Sequence, residues 1–236
     1  MRFYDLHVHS AFSEGISSLE DLAKTAANLD YSGICFSIYF ESREKLRKIK
    51  EECEKVSKKY GIEIWVGVEA RNLKELKFLL KRRNWFDLLL VRGGDLRVNR
   101  AAVEHQGVDI LTHPSFKRKD PGINHVYAKL AARNEVAIEI NFREILICNK
   151  ASRSQVLKNF SKIVMLAKKY KFPLIISSGA ISHFELKHPL ILSSFLITLG
   201  LEIKEAKKCI STTPKKILKN ALEKRKSIAP GIKVVK

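Results

Sequence analysis

The run Asp5-Leu6-His7-Val8-His9 sets a carboxylate and two imidazoles at alternate positions of an otherwise apolar segment. On an extended strand residues 5, 7 and 9 face one side, and Leu6 and Val8 face the other. Two imidazoles so spaced can grip one metal ion, with nearby carboxylates completing the shell. The competing reading is a pair of histidines hydrogen-bonded inside a barrel. Further along stand Glu14-Gly15, Glu69 and His113-Pro114. Each falls at or just past the end of an apolar run, where barrel folds place their sites, so together they outline a metal centre.

The elements that must position these residues alternate in type. Short runs rich in Ile, Val and Leu read as strands buried on both faces: Phe3–Val8, Gly33–Ile38, Glu63–Ala70, Phe86–Val91, Asp109–Thr112, Val136–Asn141 and Leu174–Ser177. Amphipathic stretches read as helices over Ser18–Leu29, Ser42–Tyr60, Leu73–Arg83, Arg100–Gln106, Ile123–Asn134, Ser152–Tyr170 and Leu190–Leu199. Such alternation predicts a parallel sheet with right-handed crossovers, and seven or eight repeats predict closure into a TIM-like α/β barrel. The doubly wound alternative has no Gly-x-Gly-x-x-Gly after its first strand and no Walker loop. Residues 1–225 read as one barrel domain, with a helix that Pro214 opens, and 226–236 as a frayed basic tail.

The charge points to a partner. The chain of 236 residues carries 44 Lys plus Arg against 25 Asp plus Glu, a net +19. Self-repulsion of that size opposes compaction and is relieved by a polyanion, nucleic acid before an anionic membrane. Basic residues recur just after the strands: Arg71, Arg92, the loop residues Arg97 and Arg100, Lys117 and Arg118, Arg143, then Lys150 and Arg153. A ring of cations at the barrel mouth is the expected nucleic-acid-binding face, strongest at Arg92-Gly93-Gly94-Asp95, where two glycines let backbone approach a ligand. The mixed charges of Glu41–Lys59 read as a solvated helix face. Four scattered cysteines form no Cys-x-x-Cys, and Cys35 and Cys148 read as small core residues. The start MRFYDLHVHS turns polar too early for a signal peptide and no apolar run spans a bilayer, so a soluble, cytoplasmic protein without membrane partners is expected.

The motifs Asp-Leu-His-Val-His-Ser, Gly67-Val68-Glu69 and Thr112-His113-Pro114 resemble the PHP (polymerase and histidinol phosphatase) superfamily of metal phosphoesterases. That resemblance implies a seven-stranded barrel, with His7, His9, Glu69 and His113 at ligand positions and Glu14 where an Asp is usual. Two departures follow. Ser37-Ile38-Tyr39 stands for Thr-Asp-His at the second strand, and Ser178-Gly179-Ala180-Ile181 for Ser-Asp-Ala-His at the last. The ligand count then falls below that of a stable multi-metal site, so no metal or other cofactor is expected and the four positions are vestigial. One branch combines these losses with a basic chain: the barrel-type protein subunit of archaeal and eukaryotic ribonuclease P, which the segments DLHVHSAFSEG, DLLLVRGGD, DILTHP and EINFREIL resemble. It implies a subunit without catalysis of its own. Such a subunit binds ribonuclease P RNA, which removes the 5′ leader from precursor tRNA, beside a smaller RRM-like subunit and other proteins of the particle. The alternative is an active PHP-type phosphoesterase built on His7, His9, Glu69 and His113.

Overall fold

Seven strands line up in sequence order: β1 (Phe3–Val8), β2 (Tyr31–Ile38), β3 (Glu63–Ala70), β4 (Leu88–Arg92), β5 (Ile110–Thr112), β6 (Ala137–Asn141) and β7 (Leu174–Ser177). Every neighbouring pair is parallel. The computed structural model describes residues 1–229 and 232–233. Beyond the ends of β1 and β7 the two edges meet. The His9 N–H donates to the Ala180 carbonyl at 2.8 Å, and the Ser178 N–H to the Asp5 carboxylate at 3.0 Å. The sheet is thereby curled into a nearly closed TIM-like α/β barrel, as the alternation predicts.

Helices α1 (Leu19–Asn28), α2 (Arg43–Tyr60), α3 (Leu73–Leu80), α4 (Leu96–Glu104), α5 (His125–Asn134), α6 (Arg143–Ile147), α7 (Lys150–Tyr170), α8 (Pro189–Thr198), α9 (Ile203–Lys208) and α10 (Thr212–Lys226) complete the chain. Side-chain caps set most starts: Ser18, Ser42, Asn72, Asp95, Asn124 and Asn149 each accept first-turn N–H groups. Gly61, at φ +64°, ends α2 in the left-handed conformation. The solvent face of α2 is laced by Lys45–Glu41 and Lys48–Glu44 pairs at i,i+4 spacing, the solvated face its charge pattern implies.

Several boundaries differ from the sequence reading, each for a local reason. The Asp95 cap starts α4 before Arg97, so Arg97 and Arg100 ride on a helix and not in a loop. Helix α3 stops at Leu80, because Arg83 turns inward to Asp109. Thr212, two residues ahead of Pro214, opens α10. Cys148 is only half-buried, whereas Cys35, Cys53 and Cys209 are core residues. The tail expected over 226–236 includes 230–231 and 234–236, which lie outside the described residues; Ser227–Ala229 (β8) pairs antiparallel with Ile232–Lys233 (β9).

Strand β1 carries the most consequential departure. Asp5 pairs with Ile34 and Val8 with Phe36, a bulge with one extra β1 residue that offsets the extra β2 residue between the Phe3–Tyr31 and Tyr4–Gly33 pairs. Strict alternation breaks there. Leu6 joins Tyr4 in the apolar cluster inside the barrel, not on the outer face with Val8. Asp5 turns to its own backbone, accepting the His7 N–H at 3.2 Å. His7 and His9 still share a side and aim into the mouth.

The interior is layered. Under the polar mouth lie Tyr4, Leu6, Cys35, Leu88, Leu90, Ile110, Ala137 and Ile175. Helix α10 seals the opposite end, pressing Ile217, Leu218 and Ala221 into the same cluster. Ion pairs lock this base. Asp109 takes Arg83 at 2.5 Å and Lys224 at 3.0 Å, and Asp87 takes Arg225 at 2.5 Å. Leu218→Ala should therefore cost about 2–5 kcal/mol in urea denaturation, as buried Leu truncations do, while the exposed neighbour Lys219→Ala stays within about 0.5 kcal/mol. Equal effects of the two would mean that α10 lies loosely on the base.

Candidate site at the barrel mouth

Glu139 is the hub of the mouth. Ile138 and Ile140 pack outward from β6, so Glu139 and Asn141 face inward. One Glu139 oxygen accepts from His7 Nδ1 at 2.7 Å, from Asn141 Nδ2 at 3.3 Å and from the Ser177 hydroxyl. The other accepts the His113 N–H at 3.1 Å. His7 Nε2 meets His9 Nε2 at 2.9 Å. His113 Nδ1 contacts Glu144 at 2.7 Å. Glu69, fully buried, accepts from the Thr112 hydroxyl at 2.6 Å.

Burial alone would strip the charge from His7. The Glu139 carboxylate, with that of Glu69, outweighs it and raises the imidazole pKa to about 9. Burial likewise pushes Glu139 up, but His7 and the Ser177 hydroxyl hold it at about 2. An imidazolium at His7 donates both to Glu139 and to His9. Burial and that neighbouring charge lower His9 to about 4 and keep it neutral. Its Nδ1 is buried without a partner among the described residues. Asp5, chiefly through burial, is raised to about 6.

Arg92 comes in from the end of β4. Its Nη1 donates to Glu14 at 3.2 Å, to the Tyr39 hydroxyl at 2.8 Å and to Glu69 at 3.5 Å. Tyr39 in turn donates to Glu14 at 2.9 Å. One guanidinium thus faces both the Glu14 and the Glu69 carboxylates.

Two sets of ligand atoms lie within 4.8 Å of one another, His7/His9/Glu69 and His7/His113/Glu139. Neither fits the metal cluster of a PHP-type enzyme. Both sets share His7, whose two nitrogens are already engaged. Glu69 and Glu139 are taken up by Arg92, Thr112, Ser177 and His7. The ends of β2 and β7 supply hydroxyls and glycine where carboxylate and imidazole are needed. The opening bounded by His9, Arg92, His113 and Arg143 holds about 40 Å³. That admits roughly one water, against about 300 Å³ or more for a small-ligand pocket.

Of the basic residues expected to ring the mouth, Arg92 and Arg143 line its opening, and several of the others are paired within the chain. Arg71 holds Glu75 at 2.8 Å and lies over the Tyr39 ring. Arg100 holds Glu104, Arg118 holds Asp120 and Arg143 holds Glu185, at 2.6–2.9 Å. Arg97 is 85% exposed and only loosely near Asp95 at 3.6 Å. Lys117 stands over the Phe116 ring, and Lys150 and Arg153 open α7. Reading motifs alone missed Glu139, Glu144, Ser177 and Glu185. A glutamate between two isoleucines in a buried strand was the available signal for Glu139.

Comparison with known proteins places this geometry. The family model described as RNase P subunit p30 matches residues 2–226. Ribonuclease P protein component 3 of Methanosarcina mazei is 36% identical over 99% of this chain and 95% of its own. That of Methanothermobacter thermautotrophicus is 32% identical over 100% and 96%. A chain in the cryo-EM structure of archaeal ribonuclease P with mature tRNA superposes with a TM-score of 0.78, at 33% identity over 98% of both chains. With motif, barrel and length all in agreement, the chain belongs to the RNase P subunit p30 family.

Proposed function

We propose that this chain serves ribonuclease P as a protein subunit that binds and supports the RNA of the particle and its precursor tRNA, without catalysis of its own. One observation carries the reading: the likeness to the archaeal subunit spans the whole barrel, while the barrel mouth is filled by the protein's own Arg92. RNA is engaged by the mouth rim, through phosphate contacts led by Arg97, Lys117, Lys150 and Arg153, with Arg71, Arg100 and Arg118 contributing less because each is shared with a neighbouring carboxylate. Arg92 and Arg143, held by internal carboxylates, shape the mouth more than they reach out of it.

The protein partner proposed is the smaller RRM-like subunit that the family resemblance implies. Helix α8 supports a protein contact: it is rich in apolar residues, and Leu190, Ile191 and Ile197 are exposed on it. Among the described residues no helix is long and apolar enough to cross a membrane, and a cytoplasmic setting is proposed.

The test is a particle reconstituted on ribonuclease P RNA. Charge removal at Arg97, Lys117 and Lys150 together should weaken RNA affinity. It should also lower the slope of log affinity against log salt by roughly 0.7–0.9 for each phosphate no longer neutralised. The same change at Lys48, Lys55 and Lys58 on α2 should be nearly neutral. If the α2 set hurts as much, the charge acts diffusely and the rim is not the binding face.

A further inference from the structure

We infer that the end of the barrel opposite the mouth carries a second RNA-binding face, a cleft between the end of α7 and the α9–α10 junction that takes a phosphodiester segment. The inference rests on the proposal that the chain binds RNA, and adds a place that neither the family motifs nor the mouth geometry indicates.

The distribution of unneutralised charge leads there. At the mouth, Arg71, Arg92, Arg100, Arg118 and Arg143 are each held by a carboxylate of the same chain. Residues 202–226 carry nine Lys or Arg against three Glu; Lys216, Lys224 and Arg225 are held by Glu135, Asp109 and Asp87, while Lys204, Lys207, Lys208, Lys215 and Lys219 are exposed. Such a concentration on one short stretch attracts polyanions.

The cleft gives that charge a shape. It holds about 500 Å³. Lys168, Lys171, Lys208 and Lys216 line it, and Glu205 is the only acid among its lining residues. Lys216 is shared with Glu135 at 2.5 Å and Lys168 donates to the Gly200 carbonyl. Lys171 and Lys208 are exposed and make no ion pair among the described residues. The floor is apolar, from Phe172, Leu174 and Leu201, all buried. At one wall α10 begins with the hydroxyls of Thr212 and Thr213. Cations around a concave apolar floor, beside the positive end of a helix, suit phosphate oxygens followed by a sugar or base.

The two faces lie at opposite ends of β7: Leu174 lines the cleft and Ser177 bonds Glu139 in the mouth. The four residues of that strand span about 13 Å. One chain can then hold two separate RNA segments in register, which suits a subunit that organises a catalytic RNA.

The experiment uses the full chain and transcribed ribonuclease P RNA, titrated by fluorescence anisotropy across a salt series. Lys171→Gln with Lys208→Gln should weaken affinity about tenfold or more at low salt, and lower the salt slope by roughly 1.4–1.8 for two phosphate contacts. Thermal melting should be unchanged, since both lysines are exposed and unpaired. Lys48→Gln with Lys55→Gln removes equal charge from α2 and should leave affinity nearly intact. Unchanged affinity and slope in the cleft variant, or an equal loss in the α2 variant, overturns the cleft while the mouth-rim reading stands. A cleft variant that keeps its RNA but no longer assembles with the particle's proteins makes the cleft a protein seat and also overturns it. Failure of the unmodified chain to bind the RNA sinks the parent proposal instead.

Discussion

Glu139→Gln is expected to lower the melting temperature by roughly 10 °C and to flatten its dependence on pH. The substitution removes the carboxylate that faces the His7 imidazole at 2.7 Å, both side chains being fully buried. Breaking a buried pair from one side leaves an uncompensated charge, at about 3–5 kcal/mol, and each kcal/mol moves the midpoint of a chain this long by about 2–4 °C. The pH response follows from the directions of the two shifts. His7 is raised from 6.5 to about 9, so its contribution is complete below pH 6.5 and is lost as pH climbs toward 9. Glu139 is held at about 2, so its contribution is complete above the ordinary carboxylate range and fades only in acid. The natural protein should therefore lose stability between pH 6.5 and 9, and Glu139→Gln should lose much less across that window. Thermal melts at half-unit steps from pH 6 to 9.5 decide it; parallel curves would mean that some other group titrates there.

Arg92→Met should cost about 3 kcal/mol, because it leaves the Glu14 and Glu69 carboxylates facing a mouth without their shared cation. The pairing of Arg92→Met with Glu69→Gln should recover part of that loss, a signature of charge rather than of packing. Mn²⁺ supplies the sharper discrimination. If the guanidinium stands in for a metal ion, millimolar Mn²⁺ should raise the melting temperature of Arg92→Met and leave that of the natural protein unmoved, since binding to the folded state alone stabilises it. Equal stabilisation of both proteins would show that a cation and Arg92 coexist, and would restore the phosphoesterase-like alternative.

What could be read in advance was what repeats locally. Buried runs of Ile, Val and Leu announced the strands, and the spacing of His7 and His9 announced their convergence. What escaped depends on partners far apart in sequence. Arg92 meets Glu14 across 78 positions, and nothing around either residue signals that the cation is spoken for. The inward turn of Arg83 is set by Asp109, 26 residues on, and it ends α3 early. The β1 bulge arises because the Asp5 carboxylate bonds both the His7 and Ser178 N–H groups, a contact between opposite edges of the sheet that no periodicity encodes. Asp95 was legible as a cap, but the two glycines before it drew the reading toward a ligand loop.

The plug formed by α10 bears on how the protein comes into being. Ile217, Leu218 and Ala221 lie against Tyr4 and Leu6, so the first strand and the last helix share one apolar layer. Contacts that distant form late, after the loop between them has been closed. During synthesis, helices and outer layers can assemble as the chain emerges, but the barrel interior stays open to water at its base until the final turns leave the ribosome. A chain that stops short of residue 212 keeps every residue of the mouth yet lacks the helix that covers Tyr4 and Leu6 at the base.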